Sequence, residues 1–87
     1  MVVEYEYVRC DAAWALGEAA KASPAAATAA IVPLIKTLGD KSKYVRSYAA
    51  EALDNIPTRL LLDAYLANPT HEGLGTVVKQ RLYGEPL

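Results

Sequence analysis

The sequence predicts an all-α fold, arranged as a short solenoid of antiparallel helix pairs. A ten-residue segment, 7–16, recurs at 44–53 with an offset of 37 residues and seven identical positions. Repetition at such a period is typical of stacked helical repeats. Sixteen of the 87 residues are alanine, the strongest helix former. Apolar residues also recur at helical spacing, and no segment has the signature of a β-hairpin.

Composition restricts the classes of protein to be considered. A chain of 87 residues forms one domain, and its net charge of −1 gives no general attraction for nucleic acid or anionic membranes. Cys10 is the only cysteine, so no internal disulfide is possible. The longest mostly apolar run, 22–35, contains two prolines and is too short to span a bilayer. We therefore expect a cytoplasmic protein.

The first half of the chain predicts two helices, at 7–22 and 24–38, after an irregular or frayed segment at 1–6. The first helix has an apolar stripe formed by Val8, Ala12, Ala15, Leu16 and Ala19. The stripe of the second is formed by Ala27, Ile31, Leu34, Ile35 and Leu38. Pro33 predicts a kink or a break near 29–32, because proline removes a backbone hydrogen bond. Gly39 suits a left-handed stop.

The second half predicts three more helices, at 43–55, 58–67 and 71–82. Ser42 and Thr70 are the expected caps of the third and fifth. The apolar stripe of the third helix is formed by Val45, Ala49, Ala52, Leu53 and Ile56. The fifth has Leu74, Val77, Val78 and Leu82 at helical spacing.

One pattern in the middle of the chain resembles a known family. Pro33 is followed, after six residues, by Asp40, and after four more by Val45-Arg46. Two alanine-containing pairs, 49–50 and 52–53, complete the pattern. It resembles the HEAT repeat and its HEAT-like relatives, including those of phycobilin lyases. The resemblance is strongest at 31–56, good at 7–17 and weak after Pro57.

The resemblance implies specific structural roles. Pro33 would be the kink of a convex-side helix. Asp40 and Arg46 would join neighbouring turns by side-chain hydrogen bonds, and Arg9, which aligns with Arg46, would form the preceding rung of this ladder. The chain would then be a single domain, 1–87, with about two to two and a half repeats: a half repeat at 7–23, a full repeat at 24–56 and a divergent helix pair at 57–87.

Two departures from the family pattern affect this interpretation. Val3 stands where the first repeat should have its aspartate, and the last unit lacks both the aspartate and the Val-Arg pair. About three repeats are usually needed to bury a continuous core. The N-terminal end should therefore expose apolar surface, which either pairs with a second copy or continues into a longer solenoid.

Three residues are candidates for contact with a partner. Trp14 aligns with Glu51, a polar position off the apolar stripe, and so should lie on the surface lined by second helices. Tyr48, which aligns with Asp11, is expected on the same face. Exposed tryptophan often anchors a partner. The alternative is that Trp14 covers the N-terminal end or packs on Val2 and Val3.

Other chemistry is not indicated. Arg9 and Arg46 match ladder positions better than phosphate-binding ones, and the second helices carry acidic and basic residues in equal number, so nucleic acid binding is not expected. One histidine and one cysteine do not make a usual zinc site. No phosphate-binding loop or nucleophile motif is present. We expect no catalytic residues, metal or cofactor.

The predicted function is therefore a non-enzymatic protein-binding or assembly scaffold that uses Trp14, Tyr48 and Glu51 on a concave face. One alternative, from the resemblance, is an accessory subunit of a bilin lyase or a similar enzyme. Another is a self-associating piece of a longer solenoid, which forms a homo-oligomer through its open N-terminal end.

Overall fold

The computed structural model of the protein describes residues 5–84, which form five α-helices and no strand. The helices are α1 (Glu6–Ala22), α2 (Pro24–Thr37), α3 (Lys43–Asp54), α4 (Thr58–Ala67) and α5 (Glu72–Tyr83). The all-α prediction is confirmed for this part of the chain, and every helix boundary lies within one residue of its predicted place. Most of the predicted irregular segment at 1–6 lies outside the described residues.

Side-chain caps begin three of the helices. Ser23 and Ser42 accept hydrogen bonds from the first backbone N–H groups of α2 and α3, at 3.0 Å for Ser23 and at 3.2 and 3.4 Å for Ser42. The predicted Ser42 cap is thus confirmed. Thr70 is not the cap of α5, since His71 Nδ1 accepts from the Leu74 N–H at 3.1 Å. The imidazole nitrogen replaces the expected hydroxyl because the helix begins one residue later than predicted.

Helix α2 and the turn that follows it differ from the prediction at Pro33 and at Gly39. The helix continues through Pro33, so the predicted break is wrong, whereas the kink stays a prediction. Gly39 is not left-handed, because Gly84 is the one residue within 5–84 with a positive φ, at 69°. Instead, the N–H groups of residues 38–40 each bond the carbonyl three residues earlier, at 3.0 to 3.1 Å. These tighter turns satisfy the last carbonyls of α2.

Helix α2 is the centre of the molecule, since it contacts each of the other four helices. Four of its five predicted stripe residues are buried, and the fifth, Leu38, is partly buried. The predicted stripe of α3 is also buried, and α4 and α5 add Leu61 and Leu74, each fully buried. The radius of gyration, 12.3 Å, matches the roughly 12 Å expected for a compact domain of this length.

The predicted apolar stripe of α1 is wrong. The buried residues of this helix are Cys10, Ala13, Gly17 and Ala20. The predicted residues Val8, Ala12, Ala15 and Ala19 are exposed, and Leu16 is partly buried. Both helices that contact α1, namely α2 and α3, lie on the side of its small residues. The face of α1 that is equivalent to the buried face of α3 is therefore uncovered in the described part of the chain.

Helices α4 and α5 pack on each other and on α2. Leu82, the last residue of the predicted α5 stripe, is exposed, which corrects that prediction. No Cα of α5 approaches one of α3 within 8 Å, among the described residues. Across residues 5–84, none of the helices combines the length and apolar character needed to cross a bilayer.

Candidate functional site

A polar cluster is centred on Asp40, in the turn between α2 and α3. Arg9 of α1 donates two hydrogen bonds to its carboxylate, from Nε to Oδ2 at 2.8 Å and from Nη2 to Oδ1 at 3.1 Å. The backbone N–H of Ser42 donates to Oδ1 at 2.9 Å. Arg46 donates to the backbone carbonyl of Asp40 at 2.7 Å. The structure thus brings together Arg9, Asp40 and Arg46, the three residues that the resemblance and the repeat alignment predicted to form a ladder.

The charges in this cluster stabilise each other. The Arg9 guanidinium, followed by the Ser42 N–H, holds the pKa of Asp40 below its usual value. In turn, the hydrogen bond from Arg9 to Asp40 raises the pKa of Arg9. Because hydrogen bonds to the charged form favour it, both groups stay ionised at neutral pH. The cluster ties α1 to the α2–α3 turn.

The three predicted contact residues line one groove between α1 and α3. Trp14 and Tyr48 lie in it with 55% and 41% of their surface exposed, and Glu51 lies beside them. Glu18, Lys21 and Asn55 line the remainder. The predicted alternative for Trp14, packing on Val2 and Val3, concerns residues outside 5–84.

Small residues on both helices form the floor of this groove. Gly17 and Ala52 face each other so closely that a Cβ on Gly17 would lie 2.8 Å from the Ala52 Cβ. Asn55 Nδ2 adds a long hydrogen bond of 3.5 Å to the Gly17 carbonyl. Because the two backbones approach here, the large side chains at the edges stand above a shallow floor.

The electrostatics of the groove are uneven. Lys21 and Glu18 form an exposed ion pair of 2.9 Å within α1. The carboxylate of Glu51, in contrast, forms neither a hydrogen bond nor an ion pair with any of the residues described. The groove therefore presents two aromatic rings and one carboxylate that is available to a ligand.

Two further residues have roles that the sequence analysis missed. Arg81 of α5 donates to the carbonyls of Ile56 and Leu53, at 2.8 and 3.0 Å, and so covers the C-terminal end of α3. The available signal for Arg81 was a basic residue in the last turn of a helix. Such a residue does not indicate which carbonyls it will bond. Cys10 is buried, although it aligns with the exposed Ser47, and burial raises the pKa of its thiol.

Among residues 5–84, no group of three or more His, Cys, Asp or Glu side chains is placed to hold a metal ion. No family model, curated protein or solved structure matches the chain with significant similarity.

Proposed function

We propose that this chain is a HEAT-like helical-repeat module that binds another protein through the α1–α3 groove and catalyses no reaction. The observation that carries the proposal is that Trp14, Tyr48 and Glu51, selected by the repeat alignment, line the same groove. Tryptophan and tyrosine are enriched among residues that dominate binding energy. The exposed part of Trp14 offers a large apolar area for a partner to bury.

The repeat arrangement is supported by the relation of α1 to α3. These helices carry the repeated segment, pack on each other and both contact α2. Asp40 joins them through Arg9 and Arg46. The α4–α5 pair departs from strict repetition, because the backbone of α5 approaches that of α2 and not that of α3. We therefore propose one full repeat at 24–56, a preceding half repeat and a divergent final pair, which together form a short solenoid.

Protein capture from a cell lysate tests this function. Wild type is compared with Trp14→Ala and with Tyr83→Ala, which removes an aromatic ring of α5 that is even more exposed than Trp14. A partner of the groove should be captured by wild type and Tyr83→Ala but lost by Trp14→Ala. Truncation of an anchor tryptophan costs about 2 kcal/mol or more, roughly a 30-fold loss of affinity. Equal capture by all three proteins would contradict the proposal.

Self-association is the second candidate, and the exposed face of α1 favours it. Val45 in α3 is 0% exposed, whereas its repeat equivalent on α1, Val8, is 40% exposed. Ala12 and Ala15 are exposed too, although their equivalents in α3 are buried. A second copy would cover this face. The area is small, because alanine buries little surface, so we expect a weak dimer.

Light scattering coupled to size exclusion tests self-association directly. A dimer has twice the 9.4 kDa mass of one chain. Ala12→Glu, on the exposed α1 face, should abolish it, whereas Ala25→Glu, on an exposed position of α2, should not. A monomer at high protein concentration would exclude this candidate.

The third alternative, an accessory subunit of a bilin lyase, rests on the resemblance alone, and an absorbance change on mixing with a bilin tests it.

A further inference from the structure

The α1–α3 groove combines aromatic rings with negative charge. Trp14 and Tyr48 contribute the rings, and Glu51 contributes a carboxylate with no described partner. The volume of the groove is about 230 Å³, which is below the roughly 300 Å³ of the smallest typical small-molecule pockets. The groove therefore has room for a single long side chain.

The surroundings of the groove strengthen its negative character. Asp11 and Asp54 are exposed one helical turn from Trp14 and Glu51, respectively. With Glu18 and Glu51 they make four carboxylates, against the single ammonium of Lys21, which Glu18 already pairs. Arg59 lies on a neighbouring surface, beyond Lys21 and Asn55. The aromatic part of the groove is thus complementary to a positive charge.

We infer that the groove receives an arginine side chain from an exposed segment of the partner. A guanidinium is planar, so it stacks on the faces of Trp14 or Tyr48 while it donates hydrogen bonds to the carboxylate of Glu51. Lysine has neither the flat surface nor the paired donors. This inference rests on the proposed function, since it takes the groove as the contact surface and specifies what the partner inserts.

Nuclear magnetic resonance of the ¹⁵N-labelled full chain tests the inference without knowledge of the partner. The probe is the peptide Gly-Ser-Gly-Arg-Gly-Ser-Gly at millimolar concentration, and the control peptide carries citrulline, which keeps the shape of arginine but lacks its charge. The arginine peptide should shift the indole N–H signal of Trp14 in a saturable manner, and the citrulline peptide should shift it far less. Equal shifts, or none with arginine, would overturn the inference.

Matched variants test whether the carboxylate of Glu51 is the charge that binds the arginine peptide. Glu51→Gln should weaken binding of the arginine peptide by about three- to tenfold, as expected for a lost salt bridge and cation–π geometry at an exposed site. Glu72→Gln, on the exposed surface of α5, should leave binding unchanged. If the Glu51 variant binds as well as wild type, the assignment of this carboxylate is wrong.

The two proposals fail in different ways. If Trp14→Ala loses a protein partner but the arginine peptide does not shift the indole signal, the binding module stands and the arginine inference falls. If the peptide binds at Trp14 but wild type and Trp14→Ala capture the same proteins, the arginine site stands and the proposed function fails.

Discussion

Gly17 of α1 lies against Ala52 of α3 with no room for a methyl group between them. A Cβ on Gly17 would be 2.8 Å from the Ala52 Cβ and 3.0 Å from its Cα. Gly17→Ala should therefore destabilise the fold by about 1–2 kcal/mol, since the cost of overpacking exceeds the roughly 1 kcal/mol gained from helix propensity. Urea unfolding followed by circular dichroism measures the change.

Two variants show whether this contact is the cause. Gly39→Ala should change stability by less than about 0.5 kcal/mol, because its Cβ would meet only the Lys36 carbonyl, at 3.4 Å, with an ordinary φ. Ala52→Gly should recover part of the loss when it is combined with Gly17→Ala. Additive effects of the two changes would show that the helices do not meet there.

The small residues of α1 explain what the sequence could and could not predict. The helix boundaries followed from alanine content, prolines and caps, which act locally. The buried face of α1 did not, because the exposed Val8 is more apolar than the buried Ala13 and Gly17, and apolar periodicity favoured the wrong side. Which face is buried depends on where α2 and α3 lie, and on the close approach that only small residues permit.

The candidate site was predictable to a similar extent. The internal repeat placed Trp14, Tyr48 and Glu51 on one surface, because repeat-equivalent helices lie side by side, and it aligned Arg9 with Arg46. Asp40, in contrast, was predicted from the resemblance to the HEAT repeat. The repeat contained no information on Arg81, which bonds the carbonyls of Ile56 and Leu53, 25 and 28 residues earlier in the chain. Long-range contacts of this kind depend on the packing of the divergent α4–α5 pair, for which the sequence offers no repeat.

Asp40 should make stability depend on pH in the acid range. Its pKa is lowered in the folded protein, so its contribution is complete above the unfolded value of about 3.9 and is lost as pH falls through the lower folded value. Asp40→Asn lacks this contribution at every pH. The Tm difference between wild type and this variant should be largest near pH 7 and shrink below about pH 4.

Thermal unfolding between about pH 7 and pH 2.5 measures this difference. Asp63→Asn is the matched control, because Asp63 is exposed on α4 and its carboxylate forms no hydrogen bond or ion pair among residues 5–84. A Tm difference for Asp40→Asn that stays constant through the acid range would show that the ionised carboxylate does not stabilise the fold.

Cys10 should react slowly with iodoacetamide in the native protein. Burial raises the pKa of its thiol, and the charges of Glu6 and Asp11 add to the effect. Less thiolate is therefore present at neutral pH than for a free cysteine, whose pKa is about 8.5, and access is restricted. Mass spectrometry of the alkylated protein follows the rate.

A thiol at the repeat-equivalent position is the matched control. Ser47 is exposed, so the double variant Cys10→Ser/Ser47→Cys should be alkylated faster than wild type under native conditions. In denaturant the two proteins should react at the same rate. Native wild type that reacts as fast as its unfolded form would contradict the burial of Cys10.

Arg81 should be a major link between α5 and the end of α3, since the backbones of these helices do not approach each other. Its guanidinium bonds the carbonyls of Ile56 and Leu53 and, at 3.2 Å, the hydroxyl of Thr58. Arg81→Gln should cost about 1.5–3 kcal/mol, the range for hydrogen bonds to a charged group, because one amide cannot reach all three acceptors. Urea unfolding gives this value.

The control for charge is Arg59→Gln, because Arg59 is exposed on α4 and its guanidinium forms no hydrogen bond among the residues described. It should change stability by less than about 0.5 kcal/mol. Hydrogen exchange then separates local from global effects. If Arg81 joins α5 to α3, Arg81→Gln should speed exchange in the last turn of α3 and in α5 more than at the α1–α2 contact. Uniform acceleration would mean that the residue supports the whole fold rather than this junction.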